Sequence, residues 1–278
     1  MNEDAKVFSA NLEYDDFLEL EKAIYTMEKP SFFIKVSNLL GSPIEKLLDK
    51  LPESNRDKII DITNDALLKA TNLAAKSLEY VESNSEYDSK KLHKLITSLL
   101  GGGAGLFGFT ALAIELPITT TVMLRSIAEI AKMNGEDLTD LETRLNCVQV
   151  FAFGSRSKED DAVTSSYYAL RIVLTKELAS LVSKIEGLIS KELTSKTLSK
   201  FLAKITERFS QNVLVKFMGQ ATPIIGAAGG ATINYLFTDF YQEVATAHFT
   251  IRRLERKYSQ SLIQEEYDRI AGRIKSRK

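Results

Sequence analysis

The chain has 278 residues, 44% of them hydrophobic and 26% charged, with a net charge of −1. That composition can build one sizeable core, and the balanced charge excludes a global pull toward nucleic acid. The single cysteine, Cys147, excludes an internal disulfide, and two histidines leave too few ligands for an ordinary zinc site. Cys147 therefore reads as a core thiol in a reducing compartment. The charge is uneven along the chain. Residues 1–29 hold eight acids and three lysines, a net of −5, whereas residues 251–278 hold nine Lys/Arg and four acids, a net of +5. The basic end suits an anionic membrane or an acidic partner, and it suits a solvated helix face equally well. The first residues, MNEDAKVFSA, are too polar for a secretory signal.

Apolar residues recur at helical spacing through most of the chain. Asp15 and Asp16 open a short helix that ends near Pro30, and 43–51 reads as another. Ser54 is a candidate cap for a long helix over 55–82, with Ile60, Leu67, Ala74 and Val81 in a stripe flanked by Ile59, Ala70 and Leu78. A helix starting near Lys90 enters a glycine-rich segment. Pro117 is placed in the first turn of the next helix, which stops at Asn134-Gly135. Thr139-x-x-Glu142 forms a capping-box pattern for a helix through Phe153, ended by Gly154. The acids Glu159, Asp160 and Asp161 precede a helix carrying Leu170, Leu174, Leu178, Leu181, Ile185 and Leu188. Helical spacing continues over 195–218. Pro223 opens the longest helix, 223–257, with Phe240, Val244, Ala247, Ile251, Leu254 and Tyr258 on one side, and a charged helix follows over 260–276. No alternating run reads as a strand. The expected fold is all-α: one bundle of nine to ten helices with two glycine-rich apolar helices packed centrally. Its expected division is an N-terminal helical extension, 1–54, and a helical domain, 55–278.

Two uncharged stretches stand out. Leu95–Ile114 runs 20 residues, and Phe217–Thr238 runs 22. The first contains Gly103-Ala-Gly105-Leu-Phe-Gly108, a literal G-x-G-x-x-G. A dinucleotide site needs a strand before that motif, and here Leu92, Leu95, Ile96, Leu99 and Leu100 have helical spacing. No Lys-Ser/Thr follows the glycines, so a P-loop is excluded too, and no nucleotide, cofactor or metal is expected. Either stretch is long enough to cross a bilayer core of about 30 Å, yet Gly, Ala and Thr contribute little to insertion. Spanning, shallow insertion and packing in a soluble core all remain open. Gly101, Gly105, Gly108, Gly226 and Gly230 are candidates for close helix approach at four-residue spacing. Glu115, at the end of the first apolar run, reads either as a helix-end charge just before Pro117 or as a buried carboxylate in need of a partner, for which Arg125 and Asn234 are candidates.

Several separated motifs carry a resemblance. Glu115-Leu-Pro117 follows the glycines, and Leu124-x-x-Ile127-x-x-Ile130-Ala131 precedes Met133-Asn134-Gly135-Glu136-Asp137 and Asp140. Near the C-terminus stand Pro223-Ile-Ile-Gly226-Ala-Ala-Gly-Gly230, Asn234, Thr238 and Phe249-x-x-Arg252-Arg253-Leu254-Glu255-x-x-Tyr258. Over about 55–260 this order resembles the EcsC family of bacterial proteins. Glu115 stands where the family has an aspartate, and Asn134-Gly135 where it has an aromatic-Gly pair. The resemblance implies an all-helical, membrane-associated protein, accessory to a membrane transport system, on the cytoplasmic face.

No catalytic motif is present. His93 and His248 lack carboxylates at metal-ligand spacing, and His248 reads as a core histidine beside the Val244–Ile251 stripe. Asp137, Asp140 and the 159–161 acids are explained by helix N-termini. A non-enzymatic adaptor is therefore the first reading. It would engage membrane lipid or a membrane protein through the glycine-paired helices, with Arg252, Arg253, Arg256 and Lys257 near anionic headgroups. The second is a soluble lipid-binding or hydrolytic protein with a pocket between the glycine-rich helices.

Overall fold

The computed structural model describes residues 12–28, 32–76, 108–155, 166–186, 195–221 and 226–276. Among them run ten α helices and no strand. In chain order these are α1 (Tyr14–Glu28), α2 (Phe32–Leu40), α3 (Glu45–Leu48), α4 (Glu53–Lys76), α5 (Phe109–Met133) and α6 (Leu141–Gln149). A 3-10 turn, Val150–Ala152, then leads to α7 (Ser166–Glu186), α8 (Ser195–Gln220), α9 (Gly226–Tyr258) and α10 (Gln260–Ser276). The all-α expectation holds. Residues 77–107, with Gly101 and Gly105, and 156–165, with the 159–161 acids, lie outside the described residues.

The 33-residue α9 is the spine, touching α1, α2, α5, α8 and α10. Helix α4 packs against α5, α6 and α8. One core joins all of these. Phe17, Leu20 and Ile24 of α1 and Phe32 and Val36 of α2 belong to it, so the stretch expected as an extension shares the core of the rest. At its centre, Phe209, Phe237 and Tyr241 pack ring on ring at 5.2–5.8 Å, with Phe151 and Phe32 against them. Offset and edge-on packing suits the aromatic quadrupole and adds about 1 kcal/mol per pair beyond burial.

The α9 stripe is buried as read, from Phe240 to Leu254, with Tyr258 half-buried. The α4 stripe is rotated. Ile59, Leu67, Ala70 and Ala74 are buried, but Ile60 is exposed and Thr63 and Thr71 take inner positions. Their hydroxyls donate to Ile59 O and Leu67 O, at 2.6 and 2.8 Å. A threonine satisfied by its own helix packs like an apolar residue, which a pattern of apolar residues alone misses.

Helix ends differ from the sequence expectation at three places. Helix α4 begins at Glu53, so Ser54 lies in its first turn and is no cap. Asp140, and not Thr139, caps α6, accepting from Thr143 N at 2.8 Å. Thr139 instead gives its N–H and hydroxyl to Asp137 Oδ1. Pro117 lies well inside α5, beyond the first turn. It leaves Ala113 O without a helical donor, and Ala113 is on the exposed side of the helix, where that loss costs least. The Asn134-Gly135 stop is as read. Gly135 has φ +79°, its N–H reaches Lys132 O, and Glu136 N–H reaches Ala131 O, the pair of bonds of a Schellman cap.

Neither uncharged stretch forms one continuous helix. Gly108 is the N-cap of α5, so only 109–114 of the first stretch lie on that helix. The second is divided between the end of α8 at Gln220 and the start of α9 at Gly226. Among the described residues, only α5 is long and apolar enough to cross a membrane, and half of its most apolar window is buried in the bundle.

Of the packing glycines, Gly108 needs correction. A Cβ on Gly108 would meet nothing within 4 Å, so it makes no close approach to the described residues. The close approaches occur elsewhere. A Cβ on Gly154, whose φ is +75°, would lie 2.5 Å from Phe240 and 2.9 Å from Val244. One on Gly219 would lie 2.8 Å from Ile233 and 3.2 Å from Val36. Gly226 and Gly230 open α9, with Gly230 partly exposed.

Candidate functional site

Glu115 faces the interior of α5, between Leu112 and Leu116 on one side and Thr119 on the other. Its partner is Lys216 of α8, whose Nζ lies 2.6 Å from Oε1. Thr119 Oγ1 donates to the same oxygen at 3.1 Å. The ammonium also sits 5.0 Å from the Phe237 ring centroid, within cation–π range. The two side chains are 6% and 0% exposed. Burying both charges costs several kcal/mol each, and close geometry is needed to offset it. Sealed in this way, the pair links α5 to α8 and presents no free group to a substrate.

The two candidate partners of Glu115 lie elsewhere. Arg125 is ten residues further along α5, about 15 Å at 1.5 Å per residue. Asn234 Oδ1 accepts from Gln220 Nε2 at 3.0 Å and so ties the end of α8 to α9. The residue that completes the site, Lys216, lay in a stretch read only as helical. Its signal was a lysine between Val215 and Phe217, with Val213 and Leu214 before it.

With Glu115 turned inward, α5 adds no charge of its own to the outer surface here, where Lys58 of α4 lies 5.4 Å from the Phe109 ring centroid. Every accessible residue of α5 from 109 to 124, and of α9 from 230 to 238, lacks a charge. Ile114 is 53% exposed and Tyr235 is 67% exposed. Phe109 stacks on Phe217 at 5.0 Å, joining α5 to α8 at the same end. The charge-free surface stops at Asp239, where Lys35 Nζ is within 3.1 Å of Asp239 and 2.9 Å of Glu243.

The four C-terminal cations face acids of the chain itself. Arg252 grips Glu136 with two bonds, 2.8 and 2.9 Å. Arg256 joins it and donates to Asn134 O, a favourable place for a cation at the end of α5. Burial alone would raise the Glu136 pKa, but the bonds and charges of Arg252 and Arg256 outweigh it and hold the carboxyl below its ordinary value. Arg253 pairs with Glu19 and Asp16. Lys257 reaches Asp16 at 2.6 Å and Glu13 at 2.8 Å, and Tyr258 donates to Asp16 at 2.6 Å. The acidic start and the basic end of the chain thus meet in one interface, α1 on α9. As candidates for lipid headgroups, these four side chains are already bonded within the fold.

A second buried polar cluster escaped the sequence reading, except for its histidine. Arg171 of α7 holds Glu255 of α9 with two 2.7 Å bonds, and Tyr168 donates to the same carboxylate at 2.7 Å. Tyr167 OH lies 2.9 Å from His248 Nδ1. Tyr267 of α10 donates to Glu28 of α1 at 2.8 Å and stacks on Tyr167 at 5.4 Å. His248 is a core histidine, as expected, packed against Phe153 and Phe249. Burial, then the charges of Arg171 and Arg252, push its pKa well below the ordinary value. The imidazole is therefore neutral. Burial likewise lifts Tyr167 to about 12 and keeps its proton in place.

A cleft of about 700 Å³ lies between α4 and α8, lined by Ile60, Asn64, Leu68, Leu202, Thr206 and Gln211 among others. Glu115 and Asn234 do not line it. Asp137 and Asp140 accept from Thr139 and Thr143, and no group of three or more His, Cys, Asp or Glu able to hold a metal occurs among the described residues.

A bundle of helices around one core, with a sealed ion pair beneath the uncharged faces of α5 and α9, defines a class of all-α proteins. Within it the chain belongs to the EcsC protein family, which matches residues 16–254. The match begins inside α1, so the first helices fall in the family region as well. No curated protein and no solved structure matches the chain.

Proposed function

We propose that this protein is a membrane-associated helical adaptor on the cytoplasmic face, accessory to a membrane transport system. The charge-free end of α5 and α9 is the surface that rests on lipid. One observation carries the reading. The only charge within 109–124, Glu115, is turned inward and matched by Lys216, so α5 and the start of α9 meet solvent through uncharged groups of their own, with Lys58 of α4 at the edge over the Phe109 ring. An apolar surface flanked by Tyr235 suits the interface, where tyrosine places its ring in apolar contact and its hydroxyl in water. The C-terminal cations are bonded internally, so attachment depends on apolar contact more than on anionic lipid.

Flotation with phosphatidylcholine vesicles, with and without phosphatidylglycerol, tests this. The wild type floats with both, and added salt changes little. The double substitution I114E/Y235E stays in the dense fraction while keeping wild-type stability to about 0.5 kcal/mol, as surface changes do. Failure of the wild type to float, or flotation of the double variant, overturns the proposal.

The α4–α8 cleft supports a second reading, a bound apolar ligand of drug-like size. Lipid extracted from protein purified without detergent and identified by mass spectrometry would support it. Delipidated protein that retains its stability and contains no such ligand would sink it.

A further inference from the structure

The cluster around His248 has a property that neither packing nor membrane docking uses. Its geometry disfavours a second proton on the ring: Arg171 Nη1 donates to the Tyr167 oxygen at 3.4 Å, which leaves the hydroxyl hydrogen for His248. Tyr167 needs an acceptor for its hydroxyl hydrogen, and Nδ1, 2.9 Å away, supplies one. The proton of the neutral ring is then on Nε2, which is buried and has no hydrogen-bond partner among the described residues. A second proton would occupy Nδ1 and turn the Tyr167 contact from acceptor into donor. The tyrosine hydrogen would lose its acceptor in the core.

The surrounding charges add to this. Arg171 on α7 and Arg252, one turn along α9, both face the ring. The nearby carboxylates are already engaged: Glu255 by Arg171 and Tyr168, and Glu136 by Arg252 and Arg256. Among the described residues, the Phe153 ring after the 3-10 turn lies 4.9 Å from His248, and Tyr267 of α10 gives its hydroxyl to Glu28 of α1. Three guanidiniums, of Arg171, Arg252 and Arg256, already share the two carboxylates of Glu255 and Glu136. A protonated His248 would be an excess buried cation with no acid left to meet it.

We infer that the Tyr167–His248 contact is an acid-operated latch: uptake of one proton by His248 unseats the first turns of α7 from α9. The bond that breaks is the Tyr167–Nδ1 hydrogen bond, and the released ring turns Nε2 and Nδ1 toward water. Helix α7 is the moving element because it is held by fewer neighbours, α1, α6 and α8, than α9, which is held by α1, α2, α5, α8 and α10. Arg171 and Glu255 remain paired until the Tyr167 turn has opened.

The sign follows from linkage. A histidine whose folded pKa is depressed stabilises the fold above its unfolded value, about 6.5, and that stability is lost as pH falls below it. Hydrogen exchange on the whole protein at pH 7.5 and 5.0, corrected for intrinsic rates, reads the effect locally. Amides of 167–175 are expected to lose at least tenfold in protection at pH 5.0, while those of 205–216 on α8 keep theirs. His248→Gln removes the pH difference. Should that variant fail to fold, a His93→Gln chain leaves His248 as the only imidazole, and its NMR titration is followed directly. Its midpoint is expected below 6.5 and coincident with the loss of α7 protection. Unchanged protection of α7 at pH 5.0, equal loss across all helices, a pH difference that persists in His248→Gln, or a ring titration unlinked to α7 would each overturn the latch.

Discussion

Helix α9 carries two regions built on opposite electrostatic principles. From Gly230 to Thr238 its accessible residues are uncharged, beside the equally uncharged outer face of α5 over 109–124. From Arg252 to Lys257 it is dense with charge, and each cation meets a carboxylate from α1 or from the turn after α5. The first region is neutral because its one acid is hidden and matched. The second is neutral because its charges cancel at the surface. The two neutralities respond differently to perturbation. A hidden pair stabilises through geometry in a low-dielectric setting, whereas exposed pairs are screened and individually weak.

Breaking the hidden pair has the largest expected effect. Lys216→Met leaves Glu115 buried with Thr119 alone and costs about 3–5 kcal/mol by urea denaturation. Pairing it with Glu115→Met recovers most of that loss. A cost of the single change under about 1 kcal/mol would mean that the pair contributes no more than a surface bridge. Next comes the glycine under the spine. Gly154→Ala forces a side chain onto φ +75° and into Phe240 and Val244, at about 3 kcal/mol. The same substitution at Gly219 meets the flexible end of Ile233, and costs about 1 kcal/mol. Equal costs at the two sites would contradict the close approach assigned to Gly154.

The charged region yields less per residue. Asp16→Asn weakens bonds to Lys257, Tyr258 and Arg253, at about 2 kcal/mol. Burial works to raise the Asp16 pKa, and the bonds from Lys257 and Tyr258 with the nearby cations more than reverse it. Its folded value is depressed, so its contribution is present above the unfolded value of 3.8 and lost as pH falls below it. The variant accordingly shows a flatter acid limb than wild type below pH 3.8 when stability is followed by circular dichroism. The combined change E13Q/D16N/E19Q would also convert a balanced surface into a basic one. Its binding to phosphatidylglycerol vesicles then gains a salt dependence that the wild type lacks. The smallest effect is at Cys147. Burial pushes its pKa up to about 12, so a thiol reagent at pH 8 leaves the folded protein unmodified and titrates the thiol only once urea unfolds the chain.

Periodicity alone made the class, the helix order and the α9 stripe legible, because a 3.6-residue repeat of apolar groups has few ways to be buried. It also made the Asn134-Gly135 stop legible, since few residues other than glycine tolerate that φ without cost. Boundaries were less secure where two polar residues competed for one role. Thr139 and Asp140 both suit a cap, and the choice depended on Asp137 lying within reach of Thr139. The run of glycines was the most conspicuous feature of the chain and lies mostly outside the described residues, whereas close approaches occur at Gly154 and Gly219, single glycines with no motif around them.

The sequence by itself determined that the protein is helical, that its two ends carry opposite charge, and that Glu115, once buried, would need a partner. These follow from local chemistry: repeat length, net charge, and the cost of burying an unmatched acid. Only the tertiary structure decided which groups meet. Lys216 lies 101 positions from Glu115, and Tyr167 lies 81 from His248. No spacing rule connects residues on different helices. Their pairing is set by how α5, α7 and α8 are packed around α9, and that packing is a property of the assembled core.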